Sequence, residues 1–153
     1  MKTPVDSGLR DFSDSLPMLL LNAHQAVMAQ FRPVLREHGI TEQQWRVLRA
    51  LNSAGKPLTL GELSAQTLIM APSMTRIVRS LDKAGLVQRR IDHNDLRAAS
   101  LSISARGIKL IQQVAPHSEK RYDQIAMAIG PGQLKDLTQQ LRQISTALPP
   151  AGD

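Results

Sequence analysis

The stretch from residue 59 to residue 104 constrains the fold more than any other part of this sequence. Its centre, residues 71–85, carries apolar side chains at positions i, i+3, i+4 and i+7, which lie on one face of an α-helix. These positions are Met74, Ile77, Val78 and Leu81. Pro72 suits the first turn of a helix, and Gly85 suits the residue just past its end. The pattern therefore predicts a short helix that buries one apolar face.

The opposite face of this predicted helix carries hydroxyl and guanidinium groups. They belong to Ser73, Thr75, Arg76 and Arg79. In the major groove of DNA, arginine pairs with guanine, and hydroxyl groups reach bases or phosphates. We therefore predict that these four residues bind DNA.

A shorter helix is predicted immediately before it. Thr59 and Glu62 have the spacing of a capping box, in which a hydroxyl and a carboxylate each satisfy an unpaired backbone N–H group. This helix ends near Thr67, and residues 68–70 connect it to the next one. Two short helices joined by a tight turn, the second with a polar outer face, are typical of a helix-turn-helix. A helical hairpin within an all-α core is the alternative.

A β-hairpin is predicted after these helices. Residues 86–91 are rich in β-forming side chains, residues 92–95 supply turn residues, and residues 99–104 alternate between polar and apolar. Such a hairpin forms a wing beside a helix-turn-helix. A solvated surface hairpin with no DNA contact is the alternative.

Four charged residues of this hairpin complete the predicted DNA-binding set. Arg89 and Arg90 lie on its first strand, and Arg97 at its tip suits a minor groove, whose negative potential attracts arginine. Asp95 is placed to orient the Arg97 guanidinium through a bidentate ion pair. The charge distribution agrees, because residues 71–110 contain eight Lys and Arg against three Asp, in a chain of net charge +6.

The wing and the residues after it carry a family signature. Residues 95–107 resemble the wing signature of the MarR family of regulators, in which Asp-x-Arg precedes an apolar strand end, a Thr and, three residues later, a Gly. Ser104 stands where Thr is usual and keeps the capping hydroxyl, and Ile103 stands where Leu is usual. Residues 41–48 and 31–33 are similar to the branch that represses aromatic-acid catabolism, including homoprotocatechuate-degradation regulators.

The resemblance spans roughly residues 16–148 and implies a mainly α fold with a small β-hairpin wing. In that fold, residues 40–104 form a winged helix-turn-helix. Residues 15–38 and 105–148 form dimerisation helices, and residues 1–153 are a single domain.

The last predicted helix also indicates a partner helix. Its apolar residues repeat with the a/d spacing of a coiled coil, at Leu134, Leu137, Leu141, Ile144 and Leu148. We therefore expect a homodimer, as the resemblance implies. Two recognition helices related by a two-fold axis read two half-sites, so we expect a palindromic operator on double-stranded DNA. Packing of this helix within one chain is the alternative.

Composition and spacing exclude several function classes. The chain has no cysteine, so disulfides, thiolate metal sites and cysteine-based sensing are excluded. Its four histidines lack metal-ligand spacing, and no phosphate-binding loop or nucleophile elbow is present. We therefore expect no enzyme activity, no metal and no cofactor. No stretch resembles a signal peptide or a membrane span, so we expect a cytoplasmic protein with no membrane partner.

The resemblance to the aromatic-acid branch implies a small aromatic carboxylate as effector. A site for it needs an apolar slot and a cation. Trp45 and Arg49 are i, i+4 neighbours on one predicted helix, and His24 and Met28 are such neighbours on another. The predicted ligand-binding residues are His24, Met28, Trp45, Arg46, Arg49, Ile69 and Met70. In the alternative, the apolar members of this set are core residues and its arginines are solvated.

Two functions are compatible with these features. The first is a homodimeric, DNA-binding transcriptional repressor that a small aromatic acid releases from its operator. The alternative is a winged-helix protein–protein adaptor without operator binding. Arg76, Arg79 and Arg97 favour DNA, because an adaptor would expose apolar residues on this surface.

Overall fold

A computed structural model of the chain describes residues 8–91 and 99–148, with side chains described for residues 8–90 and 100–148. A short 3₁₀ helix at Phe12–Asp14 comes first. The elements that follow are α1 (Leu16–Glu37), α2 (Glu42–Ala54), β1 (Leu58–Thr59), α3 (Leu60–Thr67), α4 (Ala71–Lys83), β2 (Val87–Ile91), β3 (Ala99–Ile103), α5 (Ala105–Ile129) and α6 (Pro131–Ala147). The predicted fold class, mainly helical with a small β-wing, is confirmed.

Capping boxes begin two of these helices. At the start of α3, the Thr59 backbone N–H donates to the Glu62 carboxylate at 2.7 Å, and the Glu62 backbone N–H donates to the Thr59 hydroxyl at 3.2 Å. The hydrogen bond from the Thr59 backbone, and then the one from its hydroxyl, lowers the pKa of Glu62 below its ordinary value. Thr41 and Gln44 form the same arrangement at the start of α2. Ser15 is the N-terminal cap residue of α1, but its side chain makes no capping hydrogen bond; its hydroxyl donates to the Phe12 carbonyl at 2.8 Å.

Most of the core lies inside the winged helix-turn-helix, and it extends to buried residues of α1 and α5. The apolar stripe predicted on α4 is confirmed, because all four of its residues are buried. They pack into one cluster with Leu48 of α2, Leu63 of α3 and Leu101 of β3. Gly85 follows α4 with a φ of 68°, a left-handed conformation that glycine adopts without strain, and so directs the chain into β2.

The sheet has three strands rather than the two that the hairpin pattern predicts. Its order is β1-β3-β2, and both pairings are antiparallel. Leu58 pairs with Leu101 and Thr59 with Ser100, so β1 adds a short edge strand just before α3. A two-residue strand is too short to show the alternation by which strands are recognised in a sequence. This strand fixes the start of α3 to the base of the wing.

Three helices extend beyond this core. Phe31 of α1 contacts Tyr122 of α5, with ring centroids 5.0 Å apart. Helix α6 packs on α5 and contains no buried residue, so Leu137 and Leu141 are exposed in the single chain. None of the helices in the described part of the chain has the length and apolar character needed to cross a bilayer.

Candidate nucleic-acid interface and ligand cavity

The outward face of α4 is polar and basic. Thr75, Arg76 and Arg79 are exposed, and Ser73 is half-buried. The Thr75 hydroxyl donates to the Ala71 carbonyl one turn earlier at 3.1 Å, which leaves its oxygen free to accept a further hydrogen bond. No large apolar side chain is exposed between residues 71 and 90, all of which are described. The surface therefore offers hydroxyl and guanidinium groups to a polar, anionic partner.

The wing adds arginines beside this face. Arg89 and Arg90 on β2 are both exposed. Arg89 and Arg79 line the same small cleft of about 80 Å³ between α4 and the sheet. Because successive strand residues point to opposite faces, Arg90 lies on the other side of the wing. Asp95 and Arg97, which we predict at the tip, lie outside the described residues.

A contact that the sequence did not reveal positions α4 against α2. The Gln44 side-chain amide, which completes the capping box of α2, also donates to the Ser80 hydroxyl on α4 at 3.1 Å. Ser80 lies on the polar side of α4 but is used for packing between helices. Nothing local in the sequence distinguishes this hydroxyl from those that remain available.

A cavity of about 370 Å³ lies between α1, α2 and α5. This volume is in the range that accommodates small ligands. Its apolar walls come from Val27, Met28, Phe31, Trp45, Ala50 and Tyr122. Its polar groups come from Glu42, Arg46, Arg49 and Ser118.

Glu42 is the centre of a charged network at one side of this cavity. One carboxylate oxygen accepts from Arg46 at 2.9 Å and lies 3.6 Å from the His24 ring nitrogen. The other accepts two hydrogen bonds from Arg32, at 3.2 and 3.3 Å. The second terminal nitrogen of Arg46 donates to the backbone carbonyl of Thr67 at 3.2 Å. Arg46 is therefore bound at both ends of its guanidinium.

Arg49 differs from Arg46 although both face the same cavity. It is exposed, and its guanidinium makes no hydrogen bond or ion pair with any of the described residues. A cation without a protein partner at the edge of an apolar cavity is suited to a ligand carboxylate, since arginine can bind it with two parallel hydrogen bonds. Arg49 is thus the cation best placed to contact an acid in the cavity.

The structure brings together only part of the predicted ligand-binding set. Met28, Trp45, Arg46 and Arg49 line the cavity. His24 does not line it and reaches it only through Glu42. Ile69 and Met70 are also absent from its walls, since Ile69 is buried in the core and Met70 is 79% exposed at the start of α4. This cavity therefore does not include Ile69 and Met70, and their role in ligand binding stays a prediction.

The cavity also contains residues that the sequence analysis did not select. Phe31, Glu42, Ser118 and Tyr122 belong to it, and Tyr122 is the sole tyrosine of the chain. Ser118 and Tyr122 reach the cavity because α5 packs on α1, a contact between distant parts of the sequence. Within residues 8–91 and 99–148, no three His, Asp or Glu side chains are grouped closely enough to hold a metal ion.

Comparison with known proteins identifies the family. The model of the MarR family matches residues 38–98. The transcriptional regulator FarR of Neisseria gonorrhoeae is 39% identical over 137 residues, which cover 88% of this chain and 93% of FarR. The homoprotocatechuate degradative operon repressor of Escherichia coli is 33% identical over 130 residues, covering 85% of this chain and 87% of that repressor.

Solved structures agree with this relation. The crystal structure of NadR in complex with 4-hydroxyphenylacetate superposes with a TM-score of 0.74 at 36% identity, covering 89% of this chain and 96% of NadR. The ligand-free crystal structure of NadR is similar at a TM-score of 0.72 and 38% identity, covering 87% of this chain and 97% of that one. From the shared fold and the identity over nearly the whole length, the chain belongs to the MarR family of non-enzymatic, DNA-binding transcriptional regulators.

Proposed function

We propose that this protein is a homodimeric repressor, which binds a palindromic operator and is released from it by a small aromatic carboxylate. The outward face of α4 is the observation that best supports DNA binding. It presents Thr75, Arg76 and Arg79 opposite a fully buried apolar stripe and exposes no large apolar side chain. That composition fits a DNA groove and disfavours the protein–protein adaptor.

Arg76 and Arg79 are one helical turn apart and therefore enter the groove together. In this proposal they contact base edges, Ser73 and Thr75 contact bases or phosphates, and Arg89 and Arg90 contact the flanking backbone. Arg97, with Asp95 as its orienting partner, enters the adjacent minor groove. The sequence supports this last assignment through the wing signature alone.

Operator binding can be tested by selecting duplexes from a random library with the purified protein and measuring affinity across a salt series. We expect Arg76→Ala to weaken binding by about 1–3 kcal/mol and to relax the base preference at particular positions. Arg36→Ala is the matched control, since Arg36 is an exposed arginine at the end of α1 and is not in the predicted DNA-binding set. Equal binding by wild type and Arg76→Ala would refute the proposed docking of α4.

In the proposed homodimer, the second copy of the chain covers the exposed faces of α1, α5 and α6. Exposed apolar side chains are concentrated there, at Leu16, Leu19, Leu21, Tyr122, Met127, Leu137, Leu141 and Leu148. Together with the a/d spacing of α6, they form a surface that a helix of a second copy would bury.

Leu141→Glu is expected to disrupt the dimer and, as a consequence, operator binding. A buried, unpaired charge at an interface costs about 3–5 kcal/mol. Analytical ultracentrifugation measures the effect, and Gln140→Glu is the control because it adds the same charge to the neighbouring position of α6. A Leu141→Glu protein that stays dimeric would place the subunit contact elsewhere.

The effector class follows from the cavity and from the relatives. The cavity combines an indole, a phenol and a phenylalanine ring with Arg49, whose guanidinium has no hydrogen-bond partner among the described residues. NadR is solved with 4-hydroxyphenylacetate, and the E. coli relative is named for homoprotocatechuate degradation. We therefore propose that the ring of an aromatic acid lies against Trp45 and Met28, with its carboxylate on Arg49.

Titration of 4-hydroxyphenylacetate, benzoate and hydroxycinnamate against the operator complex tests this assignment. At least one compound is expected to release the wild type from DNA. Arg49→Ala is expected to need a concentration at least about tenfold higher, since a charged hydrogen bond contributes about 1.5–3 kcal/mol. If no compound releases the wild type, the aromatic-acid assignment fails; if Arg49→Ala responds at wild-type concentrations, the carboxylate binds elsewhere.

A further inference from the structure

We propose that Arg46 is the positioning residue through which an occupied cavity acts on the helix-turn-helix. Arg46 lines the cavity and at the same time binds the backbone at the end of α3. This inference rests on the proposed effector function and specifies how the same site controls DNA binding.

The geometry of Arg46 links three helices. One terminal nitrogen donates to Glu42 on its own helix α2 at 2.9 Å, and the other donates to the Thr67 carbonyl of α3 at 3.2 Å. Glu42 is in turn bound by Arg32 of α1. Because the guanidinium is planar and rigid, it cannot turn towards the cavity while keeping both contacts. A ligand that draws the guanidinium into the cavity therefore competes with Glu42 or with Thr67.

The contact with Thr67 lies at a sensitive point of the chain. Thr67 is the last residue of α3, where the backbone carbonyls have no partner within the helix, so the Arg46 guanidinium caps this end. Leu68 follows in the left-handed conformation, with a φ of 56°, and is 86% exposed. Met70, two residues later, is the N-terminal cap residue of α4. The direction in which α4 begins is therefore set within three residues of the carbonyl that Arg46 binds.

A carboxylate ligand offers Arg46 a better acceptor than Thr67 does. A charged acceptor forms a hydrogen bond about twice as strong as a neutral carbonyl. The carboxylate is proposed on Arg49, which is three residues from Arg46 on the same helix and lines the same cavity. The ligand therefore favours the arrangement in which Arg46 leaves Thr67, and only such a difference in affinity allows a ligand to shift a conformational equilibrium.

Arg49 supplies the matched comparison. Both arginines line the cavity on α2, but Arg49 makes no hydrogen bond or ion pair with the described residues, whereas Arg46 bridges α2 and α3. Removing Arg49 should affect ligand affinity, and removing Arg46 should affect the connection between ligand and DNA. The two variants thus separate binding from coupling.

The first experiment uses no ligand and compares Arg46→Met, Arg46→Lys and Arg36→Met as full-length proteins. Affinity is measured for a duplex selected by the wild type, and hydrogen exchange is measured at the amides of residues 68–70. Loss of the bond to Thr67 should weaken DNA binding about five- to tenfold and raise exchange at these amides in both Arg46 variants. Arg36→Met should match the wild type, because Arg36 is exposed and does not line the cavity. Wild-type DNA affinity and exchange in the Arg46 variants would overturn the inference.

The second experiment adds 4-hydroxyphenylacetate as the probe. Saturating probe should weaken DNA binding by wild type and by Arg49→Met about 5- to 150-fold, the ordinary range for such coupling. For Arg46→Met, calorimetry should show probe binding to the free protein, but the probe should change its DNA affinity less than about threefold.

The outcomes separate the inference from the proposed function. If the probe releases Arg46→Met as fully as the wild type, the coupling role is overturned and the effector proposal stands. If Arg46→Met no longer binds the probe, Arg46 is needed to hold the ligand rather than to relay its presence to α4, and the positioning role is overturned. A wild type that neither binds nor responds to any of the three aromatic acids overturns the effector proposal and the coupling role together.

Discussion

Gly107, in the first turn of α5, gives the sharpest test of the packing described above. A Cβ atom at this position would lie 2.3 Å from the Leu86 carbonyl oxygen and 2.7 Å from a side-chain carbon of Ile103. The Leu86 oxygen cannot simply withdraw, because it accepts a hydrogen bond from the backbone N–H of Ser104 at 3.1 Å. Ser104 in turn caps α5 by accepting the Gly107 N–H at 3.0 Å. An added methyl group must therefore move the backbone that connects the wing to α5.

Two effects of opposite sign decide the stability of Gly107→Ala. Helix propensity alone favours alanine over glycine by about 1 kcal/mol. Overpacking costs about 1–3 kcal/mol, and loss of the hydrogen bond from Ser104 to Leu86 adds about 1 kcal/mol. We therefore expect the variant to be destabilised by about 1–3 kcal/mol.

Urea unfolding followed by circular dichroism measures this difference, at one fixed protein concentration because the proposed dimer would make stability depend on concentration. Gly61→Ala in α3 is the control, since the nearest atom to its Cβ is a side-chain oxygen 3.9 Å away. That variant should be as stable as the wild type or gain up to about 1 kcal/mol. If Gly107→Ala is as stable as Gly61→Ala, the close packing of α5 on the wing is refuted.

Two further changes test single features of the helix-turn-helix. Leu68→Gly should stabilise the protein by up to about 1 kcal/mol in urea unfolding, because the left-handed conformation of Leu68 costs more than the extra chain entropy of glycine; Leu68→Ala keeps the strain and should bring no gain. Glu62→Gln should reduce the amount by which the free energy of unfolding falls at acidic pH. The folded-state pKa of Glu62 is lowered by its hydrogen bonds to Thr59, so its contribution is present above the unfolded pKa and is lost as pH falls through the folded value. Thermal unfolding across the acidic range measures the difference, and an unchanged acid profile would contradict this assignment.

The elements that depend on neighbouring residues were predictable from the sequence. The capping box of α3 and the buried stripe of α4 follow from spacings of three or four residues, and the structure confirms them. Strand β1 was not predictable, because a two-residue strand exists only through its pairing with Leu101 and Ser100, more than forty residues away. The same reason explains Tyr122, which reaches the cavity only because α5 packs on α1.

The two arginines of the cavity cannot be distinguished from the sequence. Arg46 and Arg49 are three residues apart on one helix, carry the same charge, and are equally suited by type to bind a carboxylate. They differ in their partners. Arg46 donates to the backbone carbonyl of Thr67, twenty-one residues further along the chain, and pairs with Glu42, which also pairs with Arg32. A guanidinium that already has two partners gains less binding free energy from a ligand than one without a partner. When it moves, however, it breaks contacts that hold other helices in place. The structure therefore favours Arg49 for holding an acid and Arg46 for responding to it, a division of roles that follows from the partners of the two side chains rather than from their chemistry.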